Sequence, residues 1–143
     1  MRIATLLSDK GTSVATIPGE ATVADAVAEL GRQGVGALVV SPDGVRIEGI
    51  VSERDVVRSL AHGDARLLGQ AVSTIMSTEV QTCGLDDDTE RLMRLMTERR
   101  IRHVPVVDES SLCGIVSIGD VVKVRIAELE SDAKELVEYI NGR

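Results

Sequence analysis

Apolar and polar positions along this chain run through the same cycle twice. Val14-Ala15-Thr16 answers to Val80-Gln81-Thr82, and Ala26, Val27 and Leu30 answer to Leu92, Met93 and Met96. Gly34-Val35-Gly36-Ala37-Leu38-Val39-Val40 answers to Arg100-Ile101-Arg102-His103-Val104-Pro105-Val106. After a turn one residue longer in the first copy, Gly49-Ile50-Val51-Ser52-Glu53-Arg54-Asp55-Val56-Val57 answers to Gly114-Ile115-Val116-Ser117-Ile118-Gly119-Asp120-Val121-Val122. Gly, Ile, Val, Ser, Asp, Val and Val recur in order, so the chain is a duplicated unit.

Each copy predicts the same elements. A short strand opens it, at 14–17 and again at 80–83. A helix follows, its apolar residues spaced for one face: Val23, Ala26, Val27 and Leu30, then Leu92, Met93, Leu95 and Met96. Thr22 suits the first N-cap, Asp87, Asp88 or Thr89 the second, and Gly34 suits a helix stop. A hairpin comes next, with strands at 37–40 and 47–51 in the first copy and at 103–107 and 112–116 in the second. Ser52 and Ser117 end these hairpins and can cap the helices that begin near Glu53 and Ile118. The expected architecture is α+β: two βαββα repeats, sheets packed with helices. Residues 1–68 carry the first repeat and 69–143 the second, joined by a linker over about 62–76.

Two features fall outside the repeat. A short apolar helical turn leads into each copy: Ile3, Leu6 and Leu7, then Val72, Ile75 and Met76. The last helix runs on from about Gly119 towards Ile140 with a stripe of Val122, Ile126, Leu129, Ala133, Leu136, Val137 and Ile140. A stripe of that length needs a partner surface, and the reading favoured is a homodimer contact.

Composition then narrows the function. The chain has 143 residues, of which 43 % are apolar and 27 % charged, so it can bury one core. Tyr139 is its only aromatic residue, which removes the stacking surfaces that single-stranded nucleic-acid binders use. The net charge of −7 further excludes a nucleic-acid partner, since phosphate contacts call for a basic face. No apolar run has the length of a membrane span, and the first apolar residues stop at Ser8-Asp9-Lys10, too soon for a signal peptide. The two cysteines, Cys83 and Cys113, form no metal motif and read as thiols in a reducing, cytoplasmic compartment.

The chemistry sits where each hairpin passes into a helix. A helix N-terminus offers free N–H groups and the positive end of its dipole. Ser52 and Ser117 add hydroxyls there, and Asp55 and Asp120 follow on the same face. A carboxylate so placed suits the vicinal diol of a ribose better than a phosphate. The phosphate would then lie towards the helix start and nearby arginines. Ser-x-x-Asp is also an ordinary capping pattern, and only its duplication after Gly-Ile-Val sets it apart.

These stretches resemble the ligand-binding signature of cystathionine-β-synthase-type (CBS) domains, and Arg102-His103-Val104-Pro105-Val106-Val107-Asp108 resembles that family's middle strand. The resemblance runs from about Ser8 to Glu128. It implies two repeats related by a pseudo-two-fold axis, as a Bateman module, with two clefts between them for AMP, ADP, ATP, NAD or S-adenosylmethionine. In the first cleft it implies Asp120 on the ribose, Ser117 beside it, and backbone groups of Ala15 at the adenine edge next to Ser13. Val35, Gly36 and Ile115 would wall the base, and Arg102 would meet phosphate. In the second it implies Asp55 and Ser52, the Gln81 backbone, Ile50 and Ile101 around the base, and Arg54 at the phosphate. Arg54 faces Gly119 across the repeat and Gly36 faces Arg102, so the clefts differ in charge.

His103 is a further candidate for lining a cleft. Cys83 with His103 lacks an orienting group and an oxyanion motif, and no nucleotide-hydrolase or metalloprotease motif occurs, so no enzyme is expected. The expectation is a cytoplasmic regulatory module, an energy or redox sensor with AMP foremost among its ligands, acting on a protein target the sequence does not name. The alternative is a dimeric adaptor whose clefts are vestigial.

Overall fold

The computed structural model describes residues 1–142. Helix α1 (Ile3–Lys10) leads to β1 (Thr16–Ile17), α2 (Val23–Gln33), the hairpin β2 (Ala37–Val40) and β3 (Gly49–Ser52), and α3 (Glu53–His62). Two 3-10 turns, Ala65–Gly69 and Val72–Thr74, form the connection. The second half holds α4 (Thr89–Arg99), the hairpin β4 (His103–Asp108) and β5 (Ser111–Ser117), and α5 (Ile118–Ile140). No helix among the described residues is long and apolar enough to cross a membrane.

The helix starts follow from their side chains. Thr22–Asp25, Ser52–Asp55 and Ser117–Asp120 each form a reciprocal capping box, in which hydroxyl and carboxylate satisfy two otherwise free N–H groups. Asp88 caps α4 by accepting from the Glu90 N–H at 2.8 Å. Gly34 ends α2 in the left-handed region at φ +65°, and Arg100 takes the same conformation after α4 at φ +54°.

In the first repeat β1 runs parallel to β2, and β2 antiparallel to β3. The strand expected at 80–83 is not formed: only one bridge, Cys83 to Val106, joins that segment to the antiparallel β4–β5 pair. The reason is Pro105. In the first repeat Val39 donates its N–H to the Ala15 carbonyl at 3.0 Å. Pro105 stands at the matching position and has no N–H to give Gln81, so the ladder cannot extend.

Alternation along each strand sorts its residues between two faces. Leu38, Val40 and Val51 point into a core with Ile17, Ala26 and Leu30; Val104, Val106 and Val116 point into another with Leu92, Met96 and Val121. The opposite sheet faces carry Ala37, Val39, Ile50 and Ser52 in one repeat and His103, Pro105, Ile115 and Ser117 in the other.

The lead-ins are exchanged. Ile3, Leu6 and Leu7 belong to the core of the second repeat, although the sequence places them before the first. Val72, with Ile75 and Met76, belongs to the core of the first. Backbone bonds fix the exchange: Ile3 N–H to Asp87 O and Ala4 N–H to Leu85 O, both 2.9 Å, and Val72 N–H to Ala21 O at 2.7 Å. The glycine of each Gly-Ile-Val run makes room for it. A Cβ on Gly114 would lie 2.8 Å from Leu7 Cδ1, and one on Gly49 2.6 Å from Met76 Sδ and 2.8 Å from the Ser77 carbonyl oxygen. Both Gly→Ala changes therefore overpack, at about 1–3 kcal/mol. Gly49→Ala should cost more, because a backbone carbonyl cannot step aside as leucine methyls can; urea unfolding of the two variants checks the order.

Candidate functional site

The Ser-x-x-Asp stretches begin on the sheet faces opposite the two cores. Ile50, Ser52 and Asp55 are half-buried in one copy, as are Ile115, Ser117 and Asp120 in the other. Asp55 Oδ2 accepts from the Ser52 N–H at 2.8 Å and its hydroxyl at 3.0 Å. Asp120 Oδ2 accepts from the Ser117 N–H at 2.9 Å. All of these bonds fall on Oδ2. The carboxylates thus serve as caps, and among the described residues neither Oδ1 accepts a hydrogen bond.

The two sheet faces meet at Gly36 and His103. A Cβ on Gly36 would sit 3.1 Å from His103 Cε1 and 3.6 Å from Glu53 Oε1, so the glycine admits the imidazole. His103 pairs in register with Ser117, and the Arg102 carbonyl accepts the Ile118 N–H at 2.8 Å. Arg102 and Ser13 are exposed, while Ala15 and Gly36 are half-buried. On the other side Arg54 donates to the Arg100 carbonyl at 3.3 Å, which brings it beside Ile101. Gln81 is half-buried, and its carbonyl is spared the ladder bond that occupies Ala15. Val35 lines a shallow apolar groove of about 420 Å³ between α2 and α3, with Val27, Leu30, Glu53, Val56 and Val57. Gln81 lines a smaller one of about 170 Å³ with Cys83, Asp87 and Arg91. Neither groove is lined by Asp55 or Asp120.

Lys10 is the residue that sequence reasoning missed. Its ammonium donates to Asp120 Oδ2 at 2.6 Å and to the Ile115 carbonyl at 2.8 Å. In sequence it is a cation at a helix end, which is unremarkable; only the exchange of α1 onto the second repeat brings it here. Burial pushes the Asp120 carboxyl up, but the Lys10 ammonium and the Ser117 N–H together hold it below the ordinary range.

Burial lowers the His103 pKa, and the Arg102 charge lowers it further, against Glu53 and Asp120. The folded chain then binds fewer protons than the unfolded one just below the ordinary imidazole pKa of about 6.5. Stability is therefore expected to fall as the pH drops from about 7 towards 5, and His103→Gln should flatten that slope in thermal melts. Burial first, then the charge of Asp87, pushes the Cys83 thiol up to about 12, which makes it inert as a nucleophile. Both cysteines are free, and among the described residues no three His, Cys, Asp or Glu side chains gather as a metal site requires.

A family model described as the CBS domain matches residues 10–62 and 72–127. The chain is 38 % identical over 125 residues to the mitochondrial CBS domain-containing protein CBSX3 of Arabidopsis thaliana, covering 85 % of this chain and 61 % of that protein, so it spans under two thirds of that relative. Among solved structures, the CBS-domain containing protein ATU1752 of Agrobacterium tumefaciens superposes with a TM-score of 0.84 at 41 % identity, over 87 % of this chain and 99 % of that one. The CBS domain protein PAE2072 of Pyrobaculum aerophilum, solved with AMP bound, superposes with a TM-score of 0.71 at 28 % identity, over 84 % of this chain and 89 % of that one.

Proposed function

This chain belongs to the CBS-domain family, as a tandem pair of repeats, and we propose that it is a regulatory module that binds an adenine nucleotide in the clefts at Asp55 and Asp120. Proteins of this family are generally regulatory modules rather than catalysts, and one structural neighbour binds AMP. The observation that carries the reading is the duplicated capping carboxylate beside a half-buried isoleucine and serine on the sheet face opposite each core. Such a site offers an aliphatic wall to a base and a carboxylate to a diol, and needs no aromatic ring.

In this reading Asp120 and Ser117 hold the ribose, and Ile115 with Gly36 flanks the base. Ala15 and Ser13 offer the adenine edge its polar contacts, and Arg102 meets phosphate. Asp55, Ser52, Ile50, Ile101, Gln81 and Arg54 do the same in the other cleft. Binding ties both repeats together and shifts the population of one inter-repeat arrangement, which a target protein reads as energy or redox state. AMP is the favoured ligand, with ADP, ATP and NAD as the others, and the two unpaired thiols fit a cytoplasmic setting.

A thermal-shift panel of AMP, ADP, ATP, NAD and S-adenosylmethionine tests this. A ligand at about 100 times its dissociation constant adds about 2.7 kcal/mol, several degrees for a domain of this size. A flat panel on ligand-free protein would favour a dimeric adaptor instead.

One observation supports dimerisation under either reading. Ile126, Leu129, Leu136 and Ile140 on α5 are 50 % or more exposed. With Val122 and Ala133 they follow alternating steps of four and three residues, the spacing of a coiled-coil seam. A parallel pair would also set Arg125 against Glu130 of a second copy. Light scattering should give twice the chain mass, and Leu129→Glu with Leu136→Glu should halve it.

A further inference from the structure

The two clefts are not equivalent, and the difference lies in the lead-ins. Leu7 packs on Gly114 as Met76 packs on Gly49, so the two lead-ins correspond at those residues. Three residues further on stand Lys10 and Glu79, a cation in one copy and an anion in the other. The isoleucine carbonyls show the consequence. Ile50 exchanges backbone bonds with Ser77, N–H to O at 3.0 Å and back at 2.9 Å. The Ile115 carbonyl instead accepts the Lys10 ammonium at 2.8 Å, and the same ammonium lies 2.6 Å from Asp120 Oδ2. The Lys10 side chain is 28 % exposed and the Asp120 side chain 24 %. The pair is therefore partly desolvated, yet solvent reaches it and it can be exchanged.

We propose that Lys10 is the phosphate-selecting residue of the Asp120 cleft: it holds the carboxylate while the cleft is empty and passes to the phosphate when the ribose diol takes its place. This rests on the nucleotide reading above. The exchange conserves charge pairing, since the ammonium leaves one anion for another while two hydroxyls replace it on Asp120. A nucleoside without phosphate gains no such partner, and must displace Lys10 with nothing in return. The Asp55 cleft, with Glu79 at the matching place, lacks this cation. Lys10 thus adds to phosphate discrimination in the Asp120 cleft alone, beyond what Arg102 and Arg54 give the two clefts, and α1 carries the response because Lys10 is its last residue.

Calorimetric titration with AMP and with adenosine tests the assignment, on the full chain carrying Asp55→Asn so that the Asp120 cleft is read by itself. The parent should prefer AMP over adenosine by about tenfold or more, the worth of one charge-assisted hydrogen bond. In Lys10→Met the AMP affinity should fall and the adenosine affinity hold or rise, so that the preference narrows by about fivefold or more, to what Arg102 supplies. Lys10→Arg should restore it, and Lys10→Gln should behave as Lys10→Met, which separates loss of charge from loss of packing. An unchanged preference in both neutral variants overturns the role of Lys10 and leaves the nucleotide reading standing. A parent that binds neither ligand overturns both.

Discussion

Replacing Asp120 with alanine is expected to lower the affinity of AMP for its cleft by about 100-fold or more. A diol on a carboxylate makes two hydrogen bonds to a charged group, each worth about 1.5–3 kcal/mol, and a factor of ten is about 1.4 kcal/mol. The variant also loses a helix cap, because Asp120 Oδ2 accepts from the Ser117 N–H. That loss costs about 1 kcal/mol of stability, which unfolding without ligand measures separately. Asp120→Asn keeps an acceptor for the cap and loses the charge. It should therefore melt near the parent while binding AMP poorly. Titration calorimetry on both variants reads the two effects apart, and full AMP binding by Asp120→Ala would remove Asp120 from the site.

The second large effect concerns the exchanged lead-in. Leu7→Ala should destabilise the chain by about 2–5 kcal/mol, the range for a leucine trimmed in a filled core. Leu7 is 3 % exposed and lies against Gly114, so no neighbouring side chain stands ready to fill the space. The location of the damage is the sharper expectation. Amide exchange should speed in β4, β5 and α4, whose core includes Leu7, before it speeds in β2 and β3. Met76→Ala should do the reverse, since Met76 packs on the core of the first repeat. Loosening of the repeat that follows each lead-in, rather than of the other one, would contradict the exchange.

Much of the fold was legible because it is written in local terms. A capping box needs residues three apart, so Ser52–Asp55 and Ser117–Asp120 could be read from spacing alone. The helix stop at Gly34 is a property of one residue. The hairpins follow from alternation and from turn residues, and they form as expected, β4–β5 with one register shift at Val106 and Val107. The strand at 80–83 failed for a reason also present in the sequence, namely a proline at 105. Its meaning depends on which neighbour needs the missing N–H, and pairing partners are not local information.

What the sequence determined by itself was the duplication, the elements and their caps, and the pair of carboxylates at two helix starts, since each rests on propensity or on spacing within a few residues. What only the tertiary structure decided was which lead-in serves which repeat, and hence that Lys10 reaches Asp120. Ile3, Leu6 and Leu7 are as apolar as Val72, Ile75 and Met76, so hydrophobicity demands their burial without choosing the core that receives them. That choice is made by shape, through the space above Gly49 and Gly114, and by backbone bonds between residues 51 to 84 positions apart.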